Sequence, residues 1–562
     1  MSIVTQSTYF VTLPPQKLTA HQAGAIALVN DLLAHDSSKP MRRLAVAALA
    51  GQGLSPYQVA DQLGYSPRHG YTLRQHLETA GLTGMFDQPR PGRPPKAKTV
   101  AQLEAAEVGP EPGPEVVGRT RWGGLWLLWP LVWASAWWSL ALTGLRFSQG
   151  HRVTVQTWLL TWIAALSCGF RRLSHLNGVD DVGLALFTGR QRVMDQSLAH
   201  RLLSQVQGTA QLIEATTDTL VLTGDKVTAT PHLAVDEHVA PRWSSLAELP
   251  KTKVTTRGKV MRAEKLVYLY DLVGQRVVTL VSGALAFTEQ LTKLIPEVHQ
   301  RWGRVRLFFD KGGYQGALFG LICGLPGVTF VTPAKNYASN VLQWLYLPAE
   351  EYRSFTWRGE PVFLAEMPTS VKDCPVPLRA LVLRKLEGQP MAARFEVFFT
   401  NDWHTSAEAI FNQYGLHWRQ ETSYRVLVHD LALDALPKGY HLTPQAEVIL
   451  DSTRVRFIGW LKGMVYNLFR DFGQAVGDKW ATAQVGTLIR TFIHRPACLV
   501  RQGQVFRVEL AYFRDAVYLH DYIQKLNAQQ LALPMLGGLI LQVVVLPPQP
   551  TPNVRLFSGP EG

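Results

Sequence analysis

Asp236 in HLAVDEH, Asp310 in RVRLFFDKGG and Glu421 in YGLHWRQETSYR are the residues of this chain best placed to do chemistry. The two aspartates stand at or just past the ends of apolar, β-branched or aromatic runs that read as strands. Glu421 stands in an amphipathic stretch that reads as a helix. Strand ends and a facing helix can bring carboxylates together from distant parts of a chain. Three such groups repel one another unless a divalent cation neutralises them, and oxygen-only ligation suits Mg2+ or Mn2+. A pair of such ions supports in-line cleavage and joining of phosphodiesters, with all three acids serving as both catalytic residues and metal ligands. Glu237 is the neighbour that competes with Asp236, but strand alternation turns it to the opposite face. Asp402, in a loop, and Asp430, further along the helix, compete with Glu421.

The elements that must position these acids can be read in order. PHLAVDEH is a strand; MRAEKLVYLYDLVGQRVVTLVSG supplies two more, with a turn near Asp271 and Gly274. AFTEQLTKLIPEVHQRWG is helical, RVRLFFD is a fourth strand ending at Asp310, and GVTFVTP a fifth. Three strands, a helix and a strand closed by an acid is the ribonuclease H-like order, in which the first and fourth strands are neighbours. VFLAEM, RALVLRKL and ARFEVFFTN then read as strands of a β-rich insertion ahead of Glu421. Trp344, Tyr346 and Trp357 in this stretch suit either core packing or base stacking. His238 and Arg242 are candidate DNA contacts, and Lys251, Lys253 and Arg257 read as a basic loop suited to phosphates.

With these residues the chain resembles the DDE transposases of bacterial insertion sequences. The subgroup it resembles carries Tyr-x2-Arg-x3-Glu-x6-Lys around its last acid, and Tyr414, His417 and Glu421 keep that spacing. Histidine replaces arginine at 417 and Val428 stands where lysine is expected, leaving Arg419 or Arg425 as candidates to take over their DNA contacts. FFTND, the run SAEAIFNQYGLHWRQETSYRVLVHDLALDALP and the later helix RFIGWLKGMVYNLFR follow the same layout. The likeness covers roughly residues 120 to 475. It implies a ribonuclease H-like core, a two-ion Mg2+ or Mn2+ site, double-stranded DNA as substrate and a homodimer that pairs two transposon ends. It also implies that the insertion helps hold a flipped base or hairpin end. A second reading is a domesticated, transposase-derived DNA-binding regulator without catalysis.

The N-terminal part supports a DNA partner. After an N-terminal segment (1–39), residues 40–87 read as a helix-turn-helix. Ser55-Pro56 and Ser66-Pro67 are helix starts and Gly64-Tyr65-Ser66 the turn. Arg68, His69, Thr72 and Arg74 open the second helix, where base edges are met. DQPRPGRPPKAK, with Arg90, Arg93 and Lys96, resembles an AT-hook or serves as an extended linker. It belongs to a Pro/Gly-rich tether over 88–118. A net charge of +13 on 562 residues favours a polyanionic partner. Four scattered cysteines without CxxC spacing argue against a disulfide framework or zinc site and fit a reducing cytoplasm, where a DNA partner implies nucleoid association. The N-terminus shows no signal-peptide pattern. Trp122 to Leu145 is uncharged and long enough to span a bilayer. Its setting in ordinary globular sequence favours a buried helical subdomain over a membrane segment. The expected architecture is therefore multidomain α and α/β. A helical subdomain spans 119–225, the first part of a mixed-sheet core 226–335, and the β-rich insertion 336–402. The last part of the core, with the Glu421 helix, spans 403–480, and a C-terminal region 481–562.

Overall fold

The computed structural model describes residue 49 and residues 113–222, 230–242, 251–254, 257–283, 285–335, 337–385, 395–437, 440–442, 448–450 and 452–548. The chain divides into two compact units, Met1–Pro110 and Glu111–Gly562. The expected helix-turn-helix and AT-hook-like residues Arg68, His69, Thr72, Arg74, Arg90, Arg93 and Lys96 lie outside the described residues.

The second unit opens with a strand, β1 (Glu115–Thr120), where the sequence suggested the end of a tether. β1 pairs antiparallel with Ala497–Gln502 at the edge of a five-stranded sheet. Its partner is so distant in sequence that no local pattern announces the pairing. The tryptophan-rich stretch that follows is broken into Gly123–Leu128, Trp129–Ala134 and Ala136–Gly144, with a 76° bend at Ser135. Trp126, Trp129 and Trp138 are fully buried. A Cβ on Gly124 would sit 1.7 Å from the Phe492 carbonyl oxygen, so glycine is what lets this turn seat against the C-terminal region. Among the described residues no single helix is long and apolar enough to cross a membrane. Two longer helices, α1 (Val155–Ser167) and α2 (Thr209–Leu222), follow, with the shorter helices Val182–Phe187 and Gln196–Leu203 between them.

A ten-stranded mixed sheet carries the acids. Its strands are β2 (His232–Pro241), β3 (Lys251–Val254), β4 (Lys259–Asp271) and β5 (Arg276–Gly283). After helix α3 (Phe287–Trp302) come β6 (Val305–Phe309), helix α4 (Gly316–Cys323) and β7 (Val328–Pro333). β2 pairs antiparallel with β4 and β4 with β5, whereas β6 lies parallel to both β2 and β7. This arrangement of β5, β4, β2, β6 and β7 resembles the ribonuclease H-like core. The later strands β8 (Arg353–Trp357), β9 (Glu360–Thr369), β10 (Leu378–Lys385) and β11 (Phe395–Thr400) do not make a separate sheet. β11 pairs with β7 and so extends the same surface.

Two apolar clusters cover the two faces. Leu233, Val235, Leu307 and Phe309 point into one, with α3 and α4; Ala234 and Phe308 point into the other. On the second face lie α5 (Ala407–Gly415), α6 (Trp418–His429) and the long α7 (Thr453–Val476). α7 lies close against β5 because two of its residues lack side chains. A Cβ on Gly459 would come within 2.9 Å of Leu280, and one on Gly463 within 2.8 Å of Val277. Each glycine costs about 1 kcal/mol of helix propensity, and close packing on the sheet offsets it. Asn467 closes the contact, its amide bonding the Val277 N–H (2.9 Å) and carbonyl (2.8 Å).

Candidate active site

Register fixes the first two acids. The parallel ladder of β2 and β6 matches Val235 with Phe309, so Asp236 and Asp310, one step on, are neighbours across strands about 4.8 Å apart. Alternation directs both side chains to the Ala234/Phe308 face, beneath α6. Each is held by its own backbone. Asp236 accepts from the Glu237 N–H (2.7 Å), and Asp310 accepts from the Gly312 N–H (2.7 Å), capping a short 3-10 turn over Lys311–Gly313. Thr332 on β7 donates to the Asp310 carbonyl (3.1 Å).

α6 brings Glu421 to the same face. Its Tyr424 hydroxyl donates to the Asp236 carbonyl (2.7 Å), and the Tyr424 ring meets Tyr268 of β4 edge-on. Glu421 itself is exposed. Asp236 feels the other two acids. Burial, then the charges of Asp310 and Glu421, push the Asp236 carboxyl up to about 7, against a single opposing hydrogen bond from the Glu237 N–H. Among the described residues no group of three His, Cys, Asp or Glu side chains is gathered closely enough to hold a metal ion. The donor set nonetheless fits Mg2+ or Mn2+: carboxylate oxygens only, one of them pushed toward its neutral form by burial and then by the neighbouring carboxylates.

The competing acids are spoken for. Asp402 is buried in an ion pair with Arg306 of β6 and accepts from the His404 (2.9 Å) and Thr405 (3.0 Å) N–H groups. Asp430 accepts from the Gly486 N–H (2.7 Å). Glu237 lies 3.4 Å from the Lys265 ammonium.

The expected DNA contacts separate. Tyr414 is buried, its ring stacked over His417 (5.2 Å) and against Phe398. Desolvation pulls the His417 imidazole down to about 4, with Asp310 pulling the other way, so it is uncharged at neutral pH and does not replace an arginine electrostatically. Val428 packs against the core. Arg419 donates to the Leu272 carbonyl (3.0 Å), and Arg425 is exposed. His238 and Arg242, expected at DNA, make internal contacts. His238 pairs with Asp434 (2.6 Å); Arg242 pairs with Glu264 and donates to the Leu436 carbonyl (3.1 Å). Lys251 and Lys253 sit on β3 rather than in a loop, because Lys-Thr-Lys-Val alternates as an edge strand against β4. Lys251, Lys253 and Arg257 are exposed. Trp344 and Trp357 are buried in the cores, whereas Tyr346 is 80% exposed.

The sequence reading missed the cations beside Glu421. A cleft of roughly 840 Å3 runs from Glu421 to β10 and β11, lined by Lys311, Arg358, Lys385, Trp418 and His417 among others. Trp418 is 62% exposed. The Lys311-Gly312-Gly313 run directly after Asp310 was the available signal for the first of these. Arg358 and Lys385 arrive only through sheet pairing and left none.

Residues 37–86 match the homeodomain-like domain family, which gives the chain an N-terminal helix-turn-helix-like domain. No curated protein matches the chain. Among solved structures, the catalytic domain of human Endonuclease V is similar at 14% identity over 39% of this chain and 98% of its own, with a TM-score of 0.18, too low to bear on function.

Proposed function

We propose that this chain is a DDE transposase that binds the terminal repeats of an insertion sequence and cuts and rejoins DNA strands at Asp236, Asp310 and Glu421. The observation that carries this reading is geometric: strand register sets half-buried Asp236 beside Asp310, and Tyr424 ties the Glu421 helix to the Asp236 carbonyl. Such a site is strained without a cation and relaxed with one. Asp236 and Asp310 would hold both ions and Glu421 would complete one site. The ions supply activation of the attacking oxygen and neutralisation of the leaving one. The protein's share is orientation. β2 and β6 set two carboxylates side by side, and α6 sets the third through Tyr424. Lys311, Arg358 and Lys385 offer charge to the phosphates of the strand entering the cleft. A water attacks phosphorus in line and frees the 3′-hydroxyl of the element, which then attacks target DNA. One phosphodiester replaces another, so no ATP is consumed. The N-terminal helix-turn-helix-like domain selects the ends, and pairing two ends calls for two copies of the chain.

A binding protein without catalysis is the competing reading, favoured by uncharged His417 and by Val428 in the place of lysine. Incubating the wild type and Glu421→Gln with duplexes carrying the element's ends in Mg2+ separates them. Cleavage by the wild type that falls at least about 100-fold in the variant, more than the loss of a supporting group costs, supports the transposase. DNA binding without cleavage in both supports the regulator.

A further inference from the structure

β3 and the start of β4 form a two-stranded ribbon. The ladder to β2 ends at Ala263 and that to β5 at Lys265, leaving Lys259–Arg262 paired with Lys251–Val254. Lys251 stands opposite Arg262 and Lys253 opposite Val260, so these four share one face; Thr252, Val254 and Met261 share the other. On the second face Val254 is fully buried and Thr252 and Met261 are half-buried, with exposed Lys259 at its end. On the first, Lys251 and Lys253 are exposed and Val260 is 67% exposed, while Arg262 is half-buried. Exposed Arg257 lies next to the strand. Among the described residues, the next position along this first face of β4 is Glu264, buried in its ion pair with Arg242.

That face has a definite relation to the acids. Asp236 stands opposite Tyr268, and Arg262 and Val260 lie an even number of residues along β4 from Tyr268. By alternation all point to the same side of the sheet. At about 3.3 Å per residue, six to eight residues separate them by roughly 20–26 Å. That is the length of about six to eight base pairs at 3.4 Å each.

Resting on the proposed reaction, we infer that this face of the ribbon is a duplex-DNA tracking surface. It grips backbone phosphates about six to eight base pairs from the phosphate held at Asp236 and Asp310. Lys251 and Lys253 on the strand, with Arg257 beside it, give phosphate contact without base selection, and Val260 allows close approach to the groove wall.

Lysine footprinting tests this on the intact full-length chain, using an amine-reactive label with and without a mixed-sequence 30-bp duplex in the absence of divalent metal. Protection of Lys251 and Lys253 by severalfold is expected, and unchanged labelling of both overturns the proposal. Salt-dependent binding gives a second readout. Replacing Lys251, Lys253 and Arg257 together by alanine should lower the slope of log affinity against log salt by about three for the duplex, while Lys251→Arg/Lys253→Arg keeps it. An unaltered slope in the alanine variant, or a loss confined to single-stranded 30-mer, overturns it. Because neither readout involves cleavage, failure of the catalytic reading leaves the ribbon result standing, and the reverse.

Discussion

Asp236 is the residue on which the chemistry and the stability of the fold meet. Its carboxyl is raised from the ordinary aspartate range to about 7. The folded chain therefore holds a proton there that the unfolded chain releases near pH 4. The associated stability is fully present below pH 4 and is lost as pH rises to about 7, at a cost of at most about 4 kcal/mol. Asp236→Asn removes this penalty. The variant should melt higher than the wild type at pH 8 and at the same temperature near pH 4, as followed by circular dichroism. A wild type that is the more stable at pH 8 would show that Asp236 is not strained. At this scale the sequence was informative about the acids and silent about their surroundings. Asp236 and Asp310 were marked by the apolar strands before them. His417 keeps a motif position, but only the three-dimensional burial reveals that it is uncharged.

At the scale of elements, β6 is the hub. It carries Asp310 at its end and Arg306 in its middle, and Arg306 binds Asp402 and donates to Thr405 (2.9 Å) in the loop that starts α5. Arg379 of β10 donates to the carbonyls of the same loop, at Asp402 (2.8 Å) and Thr405 (2.6 Å). Asp402 thus anchors the helix that leads into the Glu421 helix, though it lies outside the reacting group. Asp402→Ala leaves the buried Arg306 guanidinium without its counter-charge and should cost about 3–5 kcal/mol in denaturant unfolding. A loss under 1 kcal/mol would remove Asp402 from this role. Strands of the central core were legible because parallel strands buried on both faces read as unbroken apolar runs. β3 was not: a four-residue edge strand alternating lysine with small or apolar residues looks like a charged loop. The helix around Glu421 followed from its amphipathic pattern, but its seat beside β6 did not.

Across the molecule, what escaped the sequence is closure. β1 completes a sheet built from the far end of the unit, and the strands from Arg353 to Thr400 lengthen the acid-bearing sheet. Both depend on pairing between segments far apart in the chain, and local patterns carry no trace of such partners. The same closure brings Arg358 and Lys385 to Glu421. The whole arrangement has one purpose under the proposed function: to make three carboxylates from β2, β6 and α6 act as a single ligand set. Titrating Mn2+ into the full-length wild type and Asp310→Asn by calorimetry tests that directly. The account predicts binding in the wild type and an affinity at least about tenfold weaker in the variant. Equal Mn2+ binding by the two proteins would contradict it.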